Sequence, residues 1–254
     1  MTLLEAALVA VAGVCAGTIN TLVGSGTLIT FPTLLAFGVP PVTANVSNTI
    51  GLVPGSVSGA VGYRRELVGQ RSRVLRLASA SVIGGVLGAV LLLVLPEGAF
   101  EAIVPVLVVL GLVLVVLGPR ISRRVAARHA ETGGLPHHGA WWVWPAIMLA
   151  GVYGGYFGAA QGILLMAILG IGMDEALQRL NGIKNILGAV VNGISGLLFA
   201  VVADVDWQVV GLIAVGAVVG GQLGAGIGRR LPDVWLRATI VVVGLVALAV
   251  FMTR

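Results

Sequence analysis

The sequence predicts an all-α integral membrane protein with about eight membrane segments in two inverted-topology repeats, each opening with a broken or re-entrant helix. Three observations predict it. Of 254 residues, 58% are hydrophobic and 10% charged, where an ordinary soluble domain carries about 25% charge. Mean hydropathy is +1.07, and 15 basic plus 10 acidic residues cannot cover the surface of a water-soluble globule. Finally, the chain matches itself at a constant offset of 136 residues, the signature of a duplicated unit.

The apolar runs cover about 3–23, 26–38, 42–62, 74–95, 99–118, 141–157, 161–172, 180–203, 207–228 and 234–252. Most reach the roughly 20 residues that span a bilayer. The runs 26–38 and 161–172 do not, and each follows a glycine-containing break, Gly24-Ser25-Gly26 and Gly158-Ala159-Ala160-Gln161-Gly162. Short, glycine-interrupted segments at corresponding positions point to broken helices that line a site. Met1 to Gly17 carries Glu5 as its only early charge, whereas a cleavable leader has a basic start, so this run reads as mature membrane helix.

Under the offset Gly26 pairs with Gly162, Asn45 with Asn181, Gly84-Gly85 with Gly220-Gly221 and Gly88 with Gly224. Leu95-Pro96-Glu97 pairs with Leu231-Pro232-Asp233. The expected units are a first membrane repeat over 1–118, an Arg-rich cytoplasmic linker over 119–140 and a second repeat over 141–254. Arg64, Arg65, Arg71, Arg73 and Arg76 share one loop; Arg120, Arg123, Arg124 and Arg128 lie in the linker. With Arg179, Lys184, Arg229, Arg230 and Arg237 they mark cytoplasmic ends, because basic residues are retained inside. Loops with Glu97 and Glu101, or Asp204 and Asp206, then face outside. For the linker and Arg179 both to be inside, 141–172 enters and returns as a V near Gly158–Gly162, and 3–38 does the same from outside. The halves are inverted, both termini are external, and the cell inner (cytoplasmic) membrane is the expected location. Inversion is a transporter architecture; a membrane scaffold or accessory subunit is the alternative.

The net charge of +5 does not imply nucleic acid, since the charges sit in short clusters between apolar runs. The single Cys15 supports neither a disulfide nor a metal site. His129, His137 and His138 fall in the linker, where a solvated loop is the plainer reading of the His137-His138 pair. Every Asp and Glu lies near a segment end, which leaves a carboxylate proton relay unsupported. With no intramembrane histidine to activate a serine and no Walker A sequence, no enzyme activity and no cofactor are expected.

Site candidates come from two stripes and two breaks. Asn181, Lys184, Asn185, Gly188, Asn192 and Ser195 recur at helical spacing on one face, and their counterparts at minus 136 are Asn45, Asn48, Thr49, Leu52, Ser56 and Gly59. Buried amides and hydroxyls must be paired or wetted, so each stripe serves as helix glue or lines a shared cavity. Lys184, the only lysine, replaces Asn48 under the repeat. It reads either as an anion counter-charge in a pathway or as a residue snorkelling to the inner edge. Gly24, Ser25, Gly26, Gln161 and Gly162 open the short helices at Thr27 and Ile163, whose N-termini suit an anion. The substrate-binding set is therefore Gly24, Ser25, Gly26, Asn45, Asn48, Thr49, Gln161, Gly162, Asn181, Lys184, Asn185 and Asn192. Gly216, Gly220, Gly224 and Gly228, and Gly51, Gly55 and Gly59, form small-residue ridges that suit helix packing or a homo-oligomer. Trp141, Trp142, Trp144 and Trp235 read as an inner interfacial belt, and Trp207 as the outer one.

Several of these motifs carry a family likeness. Gly24-Ser25-Gly26 to Pro32, Gly38, Ala44 to Thr49, and Pro54-Gly55-Ser56 with Tyr63-Arg64-Arg65 resemble the first half of the sulfite exporter TauE/SafE permeases. Gly182-Ile183-Lys184-Asn185, Asn192 and Asp204-Val205-Asp206-Trp207 resemble their second half. The resemblance covers essentially the whole chain and implies transport of a small sulfur-containing or organic anion, such as sulfite or a sulfonate. Ser25 and Gln161 depart from the family's glycine-rich breaks, so ligand-facing chemistry there differs from that of relatives. The expected partners are that small anionic substrate and the lipid bilayer.

Overall fold

The computed structural model describes residues 1–131, 139–227, 241, 242 and 245. Arg229, Arg230, Trp235, Arg237, His137-His138, Gly228, the Leu231-Pro232-Asp233 turn and most of the run 234–252 lie outside the described residues, as does the His129 side chain. Among the described residues all regular structure is helical, in the order α1 (Leu3–Leu22), α2 (Thr27–Ala36), α3 (Pro41–Gly62), α4 (Arg71–Val94), α5 (Glu97–Glu131), α6 (Val143–Tyr156), α7 (Gln161–Gly172), α8 (Leu177–Val202) and α9 (Trp207–Ile227).

Local sequence explains most of the boundaries. Thr2 and Glu5 form a capping box at the start of α1: Glu5 N–H donates to Thr2 Oγ1 at 3.3 Å and Thr2 N–H to Glu5 Oε2 at 2.8 Å, using two donors that a helix start leaves over. Gly24 ends α1 at φ +82 and Gly158 follows α6 at φ +74, backbone that glycine adopts without steric penalty. Pro41 opens α3, where its missing N–H is not needed. Helix α5 continues through the arginine-rich stretch to Glu131; alanine and arginine are strong helix formers.

Among the described residues five helices, α1, α4, Gly98–Leu117 of α5, α8 and α9, are long and apolar enough to cross a membrane. Helix α3 is also 22 residues long, but its polar stripe dilutes its hydropathy. At 10 and 12 residues, α2 and α7 span only about 15 and 18 Å, half a bilayer. Val106, Val109, Val113 and Val116 on α5, and Val90, Leu91 and Val94 on α4, face outward and exposed. An apolar exterior of this kind suits lipid and would be a liability in water.

Starts and ends repeat at the offset seen in the sequence. Helices α3 and α8 begin at Pro41 and Leu177, α4 and α9 at Arg71 and Trp207, and α2 and α7 end at Ala36 and Gly172. The packing is reciprocal. Gly220 and Gly224 of α9 press on Val14 O and Thr18 O of α1, while Gly84 and Gly88 of α4 press on Met148 O and Val152 O of α6. Only glycine lets helix backbones approach so closely. Contacts rise together along each pair, so α1 runs parallel to α9, and α4 parallel to α6. Gly51 and Gly55 of α3 meet Ile213 and Ala217 of α9. Gly51, Gly55, Gly216, Gly220 and Gly224 are thus packed against helices of the same chain. Helices α3 and α8 cross antiparallel, with Gly196 near Ile50 at one end and Gly182 near Tyr63 at the other.

Polar contacts tie the two ends. At one, Arg73 Nη1 pairs with Glu175 Oε1 at 2.6 Å, with Arg179 Nη1 3.3 Å from Glu175 Oε2, joining the start of α4 to the α7–α8 turn. At the other, Asp206 N–H donates to Ser47 Oγ at 2.9 Å.

Candidate functional site

The two helix breaks meet each other. A Cβ on Gly24 would overlap Gly162 Cα, and one on Gly162 would overlap Gly24 Cα. Gly162 N–H donates to Gly24 O at 3.0 Å. The close backbone approach that these glycines permit is therefore made, in this structure, by one break upon the other. Gly26 is equally enclosed, its missing Cβ position lying 2.6 Å from Ala16 O. Phe157, in the second break, packs edge-on against Phe31 of α2 with centroids 5.1 Å apart, a favoured aromatic geometry.

Beside this contact lies a small polar cavity of about 20 Å³, lined by Asn20, Gly24, Thr27, Ser56, Gly158, Gln161, Gly162, Leu165, Lys184, Asn185, Gly188 and Asn192. One ordered water needs about 10–15 Å³ on this scale, so the cavity has room for about one water and must widen to take a multi-atom anion. Of the twelve residues expected from sequence, Gly24, Gln161, Gly162, Lys184, Asn185 and Asn192 line it.

The other six are not in its lining, and the side chains of Asn45, Asn48, Thr49 and Asn181 have partners of their own. Asn45 Nδ2 donates to Tyr156 O at 2.9 Å, the last carbonyl of α6. Asn48 Nδ2 donates to Thr27 Oγ1 at 3.2 Å, and Asn48 Oδ1 accepts from Thr30 Oγ1. Thr49 Oγ1 donates to Asn45 O, and Asn181 Nδ2 to Tyr63 OH at 2.8 Å. Ser25 is fully buried and its Oγ has no hydrogen-bond partner. Much of the α3 stripe thus serves as helix glue, while Lys184, Asn185, Gly188 and Asn192 of the α8 stripe face the cavity and Asn181 and Ser195 bond to Tyr63 and Gly85 O instead.

Lys184 is 2% exposed. Its ammonium donates to Thr21 O at 2.9 Å and Asn20 O at 3.2 Å, and Asn185 Nδ2 donates to Thr21 O at 3.2 Å. The side chain ends inside the protein instead of snorkelling to an exposed end, and it carries positive charge to the C-terminus of α1, where the helix dipole is negative. Gln161 is 5% exposed, and its Nε2, at the cavity wall, lacks a partner. An unpaired buried donor costs about 1–3 kcal/mol, which a ligand acceptor would recover.

Six lining residues fall outside the expected substrate-binding set: Thr27, Ser56, Gly158 and Gly188 lie on the stripes and breaks already noted, whereas Asn20 and Leu165 were left out altogether. Asn20 Nδ2 donates to Ser56 Oγ at 3.1 Å; an amide inside an apolar span four residues before a glycine break was its available signal. Leu165 has none, being one apolar residue among many.

Outside the spans, burial alone would raise the Glu175 carboxyl. Hydrogen bonds from Arg73 and Gln70, the Arg73 charge and a hydrogen bond from Arg179 outweigh it and hold the group down at about 2. That ion pair persists at neutral pH as a tie between the two halves.

Among the described lining residues, donors predominate and no carboxylate is present. An ammonium, four amides and two hydroxyls around a small cavity, framed by broken helices, define a polytopic helical membrane protein of the transporter class. Residues 9–252 match the model of the sulfite exporter TauE/SafE family, and the chain belongs to that family. It is similar to a probable membrane transporter protein, YfcA, of Escherichia coli strain K12, at 28% identity over 91% of this chain and 83% of the relative. A probable membrane transporter protein of Sinorhizobium is 27% identical over 85% of this chain and 80% of the relative. One of Haemophilus influenzae is 24% identical over 84% and 81%.

Proposed function

We propose that the protein is a secondary transporter that moves a small anion across the cytoplasmic membrane by alternating access, with export its favoured direction. Sulfite, a sulfonate or a related sulfur-containing or organic anion is the substrate class. The observation that carries this reading is the donor-lined cavity between the two helix breaks, which has Lys184 and the unpartnered Gln161 amide in its wall and no carboxylate. With the cell interior negative, outward movement of an anion is favoured by about 2.3 kcal/mol per charge per 100 mV, so export needs no coupling ion.

The proposed architecture is about eight membrane segments in two inverted repeats. Helices α1–α2 and α6–α7 form the two V-shaped entries, and both termini are external. The reciprocal packing of α1 on α9 and of α6 on α4 supports it. So does the grouping of Arg73 and Arg179 at one end and of Ser47 and Asp206 at the other. Opening one side while closing the other would move one repeat against its partner around the Gly24–Gly162 contact.

The test is flux of radiolabelled sulfite, thiosulfate, a sulfonate and a carboxylate in proteoliposomes of the purified protein. Saturable flux of one of them supports transport. Absence of saturable flux for all, at verified reconstitution, overturns it in favour of a membrane scaffold.

A further inference from the structure

Helix α1 ends abruptly. Gly24 N–H, which would continue the helix by bonding to Asn20 O, turns back to Ile19 O at 3.1 Å, a carbonyl that already accepts from Val23 N–H at 2.7 Å. Asn20 O and Thr21 O are left pointing away from the chain that should satisfy them. A helix end buried with open carbonyls carries partial negative charge, and broken-helix transporters use such carbonyls to hold an alkali cation. Here the visitor is covalently attached: Lys184 Nζ sits 2.9 and 3.2 Å from the two oxygens. No ion pair holds the ammonium among the described residues, and Asn20, Ser56 and Asn185 add oxygen-bearing side chains to the same cavity wall. Under the 136-residue offset the counterpart of Lys184 is Asn48, which is bonded to threonine hydroxyls. The charge is therefore built into one half only.

We propose that the Lys184 ammonium occupies a monovalent-cation position at the end of α1, a fixed internal cation in place of a mobile sodium or potassium ion. Its consequence, that anion movement needs neither ion, rests on the transporter reading; the site itself does not. Truncating Lys184 then vacates an oxygen-lined cradle that a free cation can enter.

The experiment melts purified wild type, Lys184→Ala, Lys184→Ser and Lys184→Gln in detergent, each in about 100 mM sodium, potassium or choline chloride. Wild type and Lys184→Gln should melt alike in all three salts, because an ammonium or an amide already serves the carbonyls. Lys184→Ala and Lys184→Ser should melt at least about 5 °C higher in sodium or potassium than in choline, as expected for a ligand present well above its Kd. Salt-independent melting of both truncations, or failure to recover either in any salt, overturns the proposal. So does an alkali-ion response of equal size in wild type or Lys184→Gln. The melting readout stands whether or not anion flux is found, so failure here is distinguishable from failure of the transport reading.

Discussion

Gly188 separates a stability effect from a functional one. It lies in the middle of α8, lines the cavity, and has nothing within 4 Å of where a Cβ would sit. Gly188→Ala should therefore stabilise the fold, because replacing a mid-helix glycine by alanine gains about 0.5–1 kcal/mol. That corresponds to a rise in Tm of about 1–4 °C for a chain of this length. The same methyl enters a cavity of about 20 Å³, space on the order of a single water, and so competes with any anion for which the cavity must widen. An overpacked site costs about 1–3 kcal/mol, which is about a five- to hundredfold loss of affinity at 1.4 kcal/mol per decade. Gly193→Ala, on the same helix and equally open but away from the cavity, is the control and should gain stability without losing transport. The assay pairs thermal melts with saturable anion flux in proteoliposomes. Full flux in Gly188→Ala would refute the assignment of the cavity to the pathway, and a fall in Tm would refute the open geometry around it.

Four further outcomes follow from the same geometry. Lys184→Gln should weaken anion binding on the order of tenfold to hundredfold, the worth of a desolvated charge-assisted hydrogen bond, while Lys184→Arg keeps part of the activity; unchanged affinity in Lys184→Gln at matched expression would remove the counter-charge role. Gly162→Ala should lower stability by about 1–3 kcal/mol because its Cβ meets the Gly24 backbone, which has no rotamer by which to yield; a wild-type melting curve would contradict the interlocked breaks. The Glu175 carboxyl is held down at about 2 from an ordinary 4.5, so its contribution is complete above about pH 4.5 and is lost as pH falls toward 2. Melts of Glu175→Gln should accordingly start lower by about 1–3 kcal/mol and lose less than wild type across that window, and parallel pH profiles would count against the pair. Cysteines placed at Ser72 and Ala127 should label from the cytoplasm and one at Glu97 from outside; cytoplasmic labelling at Glu97 sinks the inverted arrangement.

The sequence alone determined the solvent of this protein and the positions of its joints. Charge at 10% leaves lipid as the environment, and the short apolar runs that follow Gly24-Ser25-Gly26 and Gly158-Ala159-Ala160-Gln161-Gly162 made the breaks before Thr27 and after Tyr156 legible. Helices α3 and α8, and α4 and α9, begin 136 residues apart, the offset at which the sequence matches itself, because similar local sequence sets similar helix starts. The Asn and Lys stripes were legible as faces for the same local reason, since helical spacing alone sets which residues share a side.

What sequence could not decide was what each face meets. Asn45 and Lys184 read alike as amide or ammonium on a buried face, yet one closes the end of α6 and the other the end of α1 while also lining the cavity. Glycine at 24 and 162 signalled a close approach without naming the partner, and tertiary packing assigned it to the opposite break. Asn20 and Leu165 join the site only because α1 and α7 converge there. Identity and spacing are local properties of the chain, whereas the partners of Asn45, Asn181 and Lys184 lie more than a hundred positions away, and only the folded arrangement brings those together.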